Sequence, residues 1–214
     1  MSVNPSSLEN FSISAHVYTA LKKEIIEGGL PPGARLIVTE IADRFRISQA
    51  PVREALERLK QEGLINGRAN KGSVVSDITS KDIDDIYALR ERLEGFAVRQ
   101  SIAQLNESDF CHLDGLIASM NEALQGGDML KTVEIDMRFH GFFYERCGNH
   151  AILDVWNQMS TKVMWFMAIS NKHGPTDKLI EGHEALMAAL RTKDADHAEQ
   201  IFLEHIKNAY IRFL

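Results

Sequence analysis

Four polar side chains that can bind a metal ion occupy core-facing positions on three predicted helices of the 214-residue chain. Asp136 and His140 are four residues apart and so share one helix face, while His183 and His205 each interrupt an apolar stripe. A buried polar group without a partner costs free energy. One divalent cation would satisfy all four, and three imidazoles with one carboxylate suit zinc, nickel, manganese or iron. The alternative is that each is a hydrogen-bonded core residue.

Arg90 lies on the apolar stripe of another predicted helix in the same half of the chain. Its forked guanidinium can bind a carboxylate through two hydrogen bonds. We therefore expect it to bind a small organic acid whose other oxygens contact the metal. The alternative is a buried ion pair with Glu94, four residues further on. Asn149, at a helix break, is a second candidate for the same effector pocket.

Basic residues are concentrated in the first third of the chain, although the formal net charge is −6. Residues 1–78 hold ten basic and nine acidic side chains, against fourteen and twenty-one in residues 79–214. The segment Arg44–Lys71 holds seven basic residues and three acidic ones. A basic stripe on an acidic protein is typical of nucleic-acid binding. The alternative is a basic face that is merely solvated.

The elements predicted around this stripe follow the order of a winged helix-turn-helix. Residues 1–14 are expected to be a flexible arm, and residues 15–78 to form the DNA-binding domain. Apolar spacing and turn residues predict three helices and a two-stranded hairpin, with no strand elsewhere in the chain. Their predicted bounds are His16–Glu27, Val38–Phe45, Gln49–Glu62 and, for the hairpin, Leu64–Ile78. Ser48 is the expected N-cap of the third helix, and Pro51 lies in its first turn.

In that fold the third helix enters the major groove and reads bases from its N-terminal end. Gln49 and Arg53 lie opposite the buried stripe and can bond adenine and guanine, respectively, through two hydrogen bonds. Basic side chains elsewhere in the domain are expected to contact phosphates, which position a protein without reading sequence. These are Arg35, Arg44, Arg68 and Lys71.

Residues 79–214 show helical periodicity throughout, interrupted by breakers such as Gly126-Gly127 and Gly148-Asn149. Six helices are expected, at about 80–103, 107–125, 128–147, 150–171, 176–192 and 194–213, with Ser80 and Asp82 as start signals for the first. The fold class is therefore mainly α: a winged helix-turn-helix followed by an all-helical bundle.

The location expected from the sequence is the cytoplasm, with no membrane partner. Two cysteines in a chain of this length do not form a disulfide framework. The N-terminus lacks the pattern of a signal peptide. No stretch approaches the roughly 18 apolar residues that a spanning helix needs.

Two segments of the first third carry a family resemblance. The run ISQAPVREALERLKQEGLI over Ile47–Ile65 and the run KGSVV over Lys71–Val75 resemble the GntR family of bacterial regulators. The resemblance implies DNA contacts at Arg35, Arg44, Ser48, Gln49, Pro51, Arg53, Lys71 and Gly72.

Two segments of the second half resemble the FCD ligand-sensing domain of the FadR-like branch of that family. They are DMRFHGFFYERCGNHAILDVW (Asp136–Trp156) and GHEALMAALRTKDADHAEQIFLEHI (Gly182–Ile206). The expected number of helices in this half, six, is similar to that of the VanR-type subgroup. In metal-binding members the matching residues are the ligands, which implies Asp136, His140, His183 and His205. The chain departs from the pattern at Gly182, where the family usually has Glu.

These features predict a transcriptional regulator, with repression as the expected mode, that binds a pseudo-palindromic operator as a homodimer. Its effector would be a small carboxylate bound at a metal-containing site in residues 79–214. One alternative is a metal-dependent hydrolase with a DNA-binding appendage, but no general base stands out beside the four ligands. Another is a structural DNA-binding protein without a ligand. Apolar residues at the positions of Arg90 and the core histidines would make the core of such a protein more stable.

Overall fold

The structure is a computed structural model that describes residues 5–68, 72–170 and 178–211 of the chain, with side chains for 13–67, 72–169 and 178–210. The chain divides into two compact units, Met1–Ile78 and Thr79–Leu214. The first unit contains α1 (Pro5–Ile26), β1 (Arg35–Leu36), α2 (Val38–Phe45), α3 (Gln49–Gln61), β2 (Ile65–Arg68) and β3 (Gly72–Val75). The second contains α4 (Ser80–Ser101), α5 (Glu107–Gln125), α6 (Met129–Arg146), α7 (His150–Ser170), α8 (Leu179–Arg191) and α9 (Ala195–Ile211), with a short 3₁₀ helix at Ile102–Gln104.

The first unit is a helix-turn-helix built on the predicted apolar stripes. Val17 and Leu21 of α1 and Val52 and Leu59 of α3 are all fully buried, and α1 packs on α3. Between α2 and α3, Arg46 adopts a left-handed conformation with φ of 56°, and its N–H bonds the carbonyls of the last turn of α2. That reversal forms the tight turn and leaves the N-terminal end of α3 at the surface.

The wing has three strands, whereas the sequence predicted two. The strand order is β1-β3-β2 with antiparallel pairing, and Arg35 pairs with Val74 while Ile65 pairs with Val75. The strand β1 is only two residues long, too short to show the alternation by which a strand is recognised. Its pairing places Arg35 on the same sheet as Gly72.

Three local expectations differ from the structure. The helix α1 begins at Pro5 and so includes most of the expected arm. Ser48 occupies the N-cap position of α3, but its side chain makes no capping hydrogen bond. The cap of α4 is Thr79 rather than Ser80, because Thr79 and Asp82 form a reciprocal capping box.

The second unit is a bundle of six α-helices in the described residues, which confirms the mainly α fold class. The helix α6 packs against α4, α5 and α7, while α9 packs against α4 and α8. Phe143 of α6 meets Phe202 of α9 edge-on, with ring centroids 5.0 Å apart. Faces of α4, α6, α8 and α9 therefore surround one interior region. Within the described residues, no helix combines the length and apolar character needed to cross a bilayer.

Candidate metal centre and DNA-binding surface

The bundle brings the three predicted histidine ligands together. His140 of α6, His183 of α8 and His205 of α9 each offer a ring nitrogen, and these atoms all lie within 4.8 Å of one another. His140 and His183 are almost completely buried, and His205 is half-buried. The Oδ1 atom of Asp136, on α6, lies 3.1 Å from His183 Nε2 and 3.9 Å from His140 Nε2. All four residues predicted as ligands therefore converge in one interior region.

Hydrogen bonds behind the cluster orient two of the imidazoles. His140 Nδ1 bonds the Glu94 carboxylate on α4, and His183 Nδ1 lies 2.9 Å from the carbonyl oxygen of Leu179. Both partners are acceptors, so each histidine donates from Nδ1–H. This tautomer leaves Nε2 free to face the cluster, which is the arrangement that metal-binding histidines usually adopt.

Buried polar atoms without hydrogen-bond partners mark the centre of the cluster. Among the described residues, His183 Nε2 and both carboxylate oxygens of Asp136 are buried and make no hydrogen bond of standard geometry. Such atoms are costly unless a ligand satisfies them. Three imidazole nitrogens and a carboxylate fit a borderline divalent cation. The cluster can therefore bind a metal ion.

Electrostatics at the cluster bear on the protonation of two of the four residues, His205 and Asp136. Burial lowers the pKa of His205 well below its ordinary value, His183 and His140 add to the effect, and Asp136 opposes it. Burial raises the pKa of Asp136, but His140 and His183 outweigh it and hold that pKa well below its usual range. At neutral pH His205 is thus neutral and Asp136 is ionised, which are the ligand forms.

Arg90 is buried beside this cluster and is joined to it through Glu94. Its Nε donates to Glu94 Oε2 over 2.8 Å, and the second oxygen of that carboxylate bonds His140. Burial raises the pKa of Glu94, but Arg90 and His140 outweigh it and lower that pKa to about 2. The ion pair that the sequence offered as an alternative therefore exists. The bond from Glu94 to His140 was not predicted, because no local pattern relates residues on α4 and α6.

Tyr87 of α4 is another buried group near Arg90. Its ring centroid lies 5.8 Å from Arg90 Cζ, and its hydroxyl makes no hydrogen bond of standard geometry within the described residues. Burial raises the pKa of Tyr87 to about 12, with Arg90 opposing the rise and Asp136 adding to it. The hydroxyl thus stays protonated and remains a free donor beside Arg90.

Asn149, the other predicted effector residue, is half-buried at the start of α7. Its side-chain oxygen accepts a hydrogen bond of 3.2 Å from the backbone N–H of Ile152. This is the geometry of an N-cap, in which the side chain satisfies a backbone donor of the first helical turn. The contact gives Asn149 a structural role at the helix terminus.

Most residues predicted to contact DNA are exposed on the first unit. Exposed members of the set are Arg35, Arg44, Ser48, Gln49, Arg53 and Gly72. Pro51 is buried in the first turn of α3, and Lys71 lies outside the described residues. A groove between α3 and the wing is lined by Arg35, Arg53, Gly72 and also Lys60. The fold thus collects basic side chains from β1 and α3 along one groove.

Two of these basic residues already have partners within the protein. Arg53 donates from Nη2 to Gln49 Oε1 over 3.0 Å, one turn earlier on α3. Arg44 pairs with Glu24 of α1, and Nη1 lies 2.9 Å from Glu24 Oε2. Both guanidinium groups remain exposed, and surface pairs of this kind are weak. They can therefore exchange these partners for nucleic acid.

A winged helix-turn-helix joined in one chain to a bundle with buried metal-type ligands defines a DNA-binding, ligand-sensing regulator. Residues 13–75 match the family described as bacterial regulatory proteins, gntR family, and residues 85–208 match the FCD domain. The chain belongs to the GntR family of transcriptional regulators, in the FadR-like branch that carries an FCD domain.

Known relatives extend over nearly the whole chain. The "Probable D-xylose utilization operon transcriptional repressor" of Paenarthrobacter nicotinovorans is 29% identical over 206 residues, covering 96% of this chain and 91% of the relative. The transcriptional regulator McbR of Escherichia coli K12 is 28% identical over 202 residues, covering 92% and 90%. These relatives are regulators rather than enzymes, which confirms that the chain is not an enzyme and removes the hydrolase alternative.

Solved structures share the fold. The structure of E. coli McbR/YncC has a TM-score of 0.76 and 26% identity, covering 92% of this chain and 94% of that one. A GntR regulator from Rhodococcus sp. RHA1 also has a TM-score of 0.76, at 22% identity, covering 94% and 97%.

Proposed function

We propose that this regulator is a repressor that binds a pseudo-palindromic operator as a homodimer and responds to a small carboxylate bound at a metal centre in its FCD domain. The observation that carries the proposal is that buried Glu94 contacts both Arg90 and His140. Buried atoms of Asp136 and His183 that lack hydrogen-bond partners lie beside this pair of contacts. A cation and a metal-type cluster within one apolar interior suit a ligand that bears a carboxylate.

The metal would be held by His140, His183, His205 and Asp136. When bound, it supplies positive charge to which carboxylate oxygens can coordinate. The chain contributes the other contacts: Arg90 offers hydrogen bonds to the effector, and Glu94 fixes both Arg90 and His140. Zinc, nickel, manganese and iron all remain suitable, because the ligand types are shared among them.

On the DNA side, Gln49 and Arg53 would read base edges from α3, and Ser48 lies beside them at its N-terminus. Arg35, Arg44, Gly72 and Lys71 would hold the phosphate backbone. The groove between α3 and the wing supports this assignment, because it gathers Arg35 and Arg53 at one surface. Buried Pro51 would act by fixing the first turn of α3 rather than by touching DNA.

Repression, dimerisation and the subgroup belong to the proposal. A relative named as an operon repressor that covers nearly the whole chain supports repression. We expect dimerisation because helix-turn-helix dimers read two half-sites one helical turn apart. Six helices in the second unit support the VanR-type subgroup. We expect the protein to work in the cytoplasm, with operator DNA, effector and a second copy as its partners.

The test uses the purified full-length protein. Metal analysis is expected to find about one divalent ion per chain, and the ratio is expected to fall sharply in His183→Ala. A thermal-shift screen with carboxylic acids then identifies candidate effectors, because a ligand that binds the folded state raises its stability. Operator titration with and without those acids measures the response. Protein that cannot be loaded with any divalent metal, or that responds to no acid, would overturn the proposal.

Arg53→Ala tests the assignment of base reading. Removing a bidentate contact to guanine should weaken operator binding by about 1–3 kcal/mol and relax the preference at one base position. Lys71→Ala is the matched comparison, because loss of a phosphate contact weakens binding to all sequences and flattens the salt dependence. Titrations on operator and on random DNA separate the two effects. Equal losses on both DNAs for Arg53→Ala would remove its role as a base reader.

A further inference from the structure

Among the described residues, two that are not glycine have a left-handed backbone: Arg46, with φ of 56°, and Lys193, with φ of 60°. A side chain crowds the backbone in this conformation, so glycine is the usual residue where a helix ends in it. A larger residue at such a position costs conformational energy. The contacts of its side chain indicate what offsets that cost.

The side chain of Lys193 has partners within the bundle. Its Nζ donates to the carbonyl oxygens of Ile102 and Leu105 over 3.2 and 2.5 Å. The same atom lies 4.9 Å from the ring centroid of Phe110. These contacts join the segment after α8 to the 3₁₀ helix that follows α4, so Lys193 stabilises the fold itself.

The side chain of Arg46 has no comparable partner. The backbone N–H of Arg46 caps α2, and any residue in this conformation could provide that N–H. The guanidinium is exposed and makes no hydrogen bond, ion pair or ring contact with any residue that the structure describes. The neighbouring Arg44, in contrast, pairs with Glu24. The charge of Arg46 is therefore available to a partner outside the chain.

Arg46 lies next to the helix proposed to read bases. It is the first residue after α2, and Gln49, the first residue of α3, follows three positions later. Three residues span at most about 11 Å, and the major groove that receives the N-terminal end of such a helix is about 12 Å wide. With α3 in that groove, the Arg46 side chain would reach the phosphate groups along its edge.

We infer that Arg46 contacts a DNA phosphate from the turn of the helix-turn-helix. A phosphate contact of this kind positions the protein on the duplex and does not depend on base sequence. The inference rests on DNA binding by the first unit. It needs neither the proposed metal centre nor the proposed effector, so it can fail or hold independently of them.

Fluorescence anisotropy of the full-length protein with a labelled random-sequence duplex of about 30 base pairs tests the inference, because a phosphate contact requires no operator. Arg46→Gly suits the left-handed backbone and removes the charge. Its affinity should fall on the order of fivefold at about 50 mM salt, and the slope of log affinity against log salt should flatten by about 0.9 for each chain bound. Arg46→Lys keeps a point charge at the same place and should retain most of the affinity and slope.

Arg92→Ala is the control for the loss of one positive charge, because Arg92 is exposed on α4 in the second unit. Its affinity and salt slope should equal those of the wild type. Hydrogen exchange of α2 and α3 in full-length Arg46→Gly tests for a structural role. Exchange should be as slow as in the wild type or slower, because glycine relieves the crowding.

Four results would overturn the inference. One is wild-type affinity and salt slope in Arg46→Gly, and another is a loss in Arg46→Lys as large as that in Arg46→Gly. A third is a loss of affinity accompanied by faster exchange in α2 and α3, which would assign Arg46 to the fold. The fourth is a wild-type protein that does not bind the duplex at low salt.

Discussion

Glu94 is a buried carboxylate that holds two functional side chains at once. One oxygen accepts from Arg90 and the other bonds His140, and the Tyr144 hydroxyl lies 3.5 Å from the oxygen that faces Arg90. Carboxylates that bond the outer nitrogen of a ligating histidine fix the ring and raise its basicity. Glu94 therefore positions a ligand of the proposed metal and the proposed effector contact together. Through Glu94, the position of His140 depends on that of Arg90.

Changing Glu94 to Gln is expected to weaken zinc binding by about 10- to 100-fold, because a neutral amide holds the His140 ring less firmly and makes it less basic. Competition titration with a chromophoric chelator measures the affinity, and circular dichroism checks the fold. Glu134→Gln is the matched control: it makes the same chemical change at an exposed position on α6. Equal zinc affinity in wild type and Glu94→Gln would show that the contact with His140 has no role in metal binding.

The approach of α8 to α9 depends on the absence of a side chain at Gly182. A Cβ atom at that position would lie 3.1 Å from Nδ1 and 3.3 Å from Cε1 of His205. Both distances are shorter than ordinary contacts, so the ring would have to move. In metal-free protein it can rotate away, whereas a bound ion would hold it in place. The absence of a side chain at Gly182 thus leaves room for the His205 ring in this chain.

Gly182→Ala is therefore expected to have opposite effects on stability and on metal binding. Alanine favours a helix over glycine by about 1 kcal/mol, so urea unfolding of the metal-free variant should show stability equal to or above wild type. Zinc affinity should fall by about tenfold, the lower end of the effects seen when a ligand loses its support.

The control is Gly115→Ala on α5, where a Cβ would meet no atom within 4 Å. It should gain helix stability in the same way and leave zinc affinity unchanged. If both alanine variants bind zinc like wild type, the close approach of Gly182 to His205 does not govern the metal site.

Across the whole molecule, a short segment connects the two units. The strand β3 ends at Val75 and α4 begins at Ser80, where the Thr79 capping box fixes its first turn. Arg90 and Glu94 lie on this same helix. An effector can change DNA affinity only if it binds the DNA-bound and free arrangements with different affinities, and the coupling is then reciprocal. A helix that follows the wing after so short a segment is a suitable element for transmitting that difference.

We expect a suitable small carboxylate to change operator affinity of the metal-loaded protein by about 5- to 150-fold, the usual range of such coupling. Arg90→Lys keeps the positive charge opposite Glu94 but loses the forked donor, so it should need at least about tenfold more effector for the same response. Operator titrations with increasing effector measure the shift, and each variant's affinity without effector is its own reference. A response equal to wild type would leave Arg90 as the partner of Glu94 alone and place the effector elsewhere.

Much of the architecture follows from the sequence, because the relevant signals are local. The spacing of Val52 and Leu59 defines a buried helix face, and Asp136 and His140 share a face because they are four residues apart. The order of helices and turns then specifies a helix-turn-helix followed by a bundle. The histidines on core faces also predicted which side chains form the cluster.

The tertiary structure decided the contacts between distant segments. The bond between Glu94 and His140, the space at Gly182 for His205, the unpaired Tyr87 hydroxyl beside Arg90 and the pairing of Arg35 into the wing all join residues on different elements. Periodicity states which face of a helix is buried but not which neighbour covers it. That choice depends on how side chains from several helices pack together at close-packed density, and no local segment contains this information.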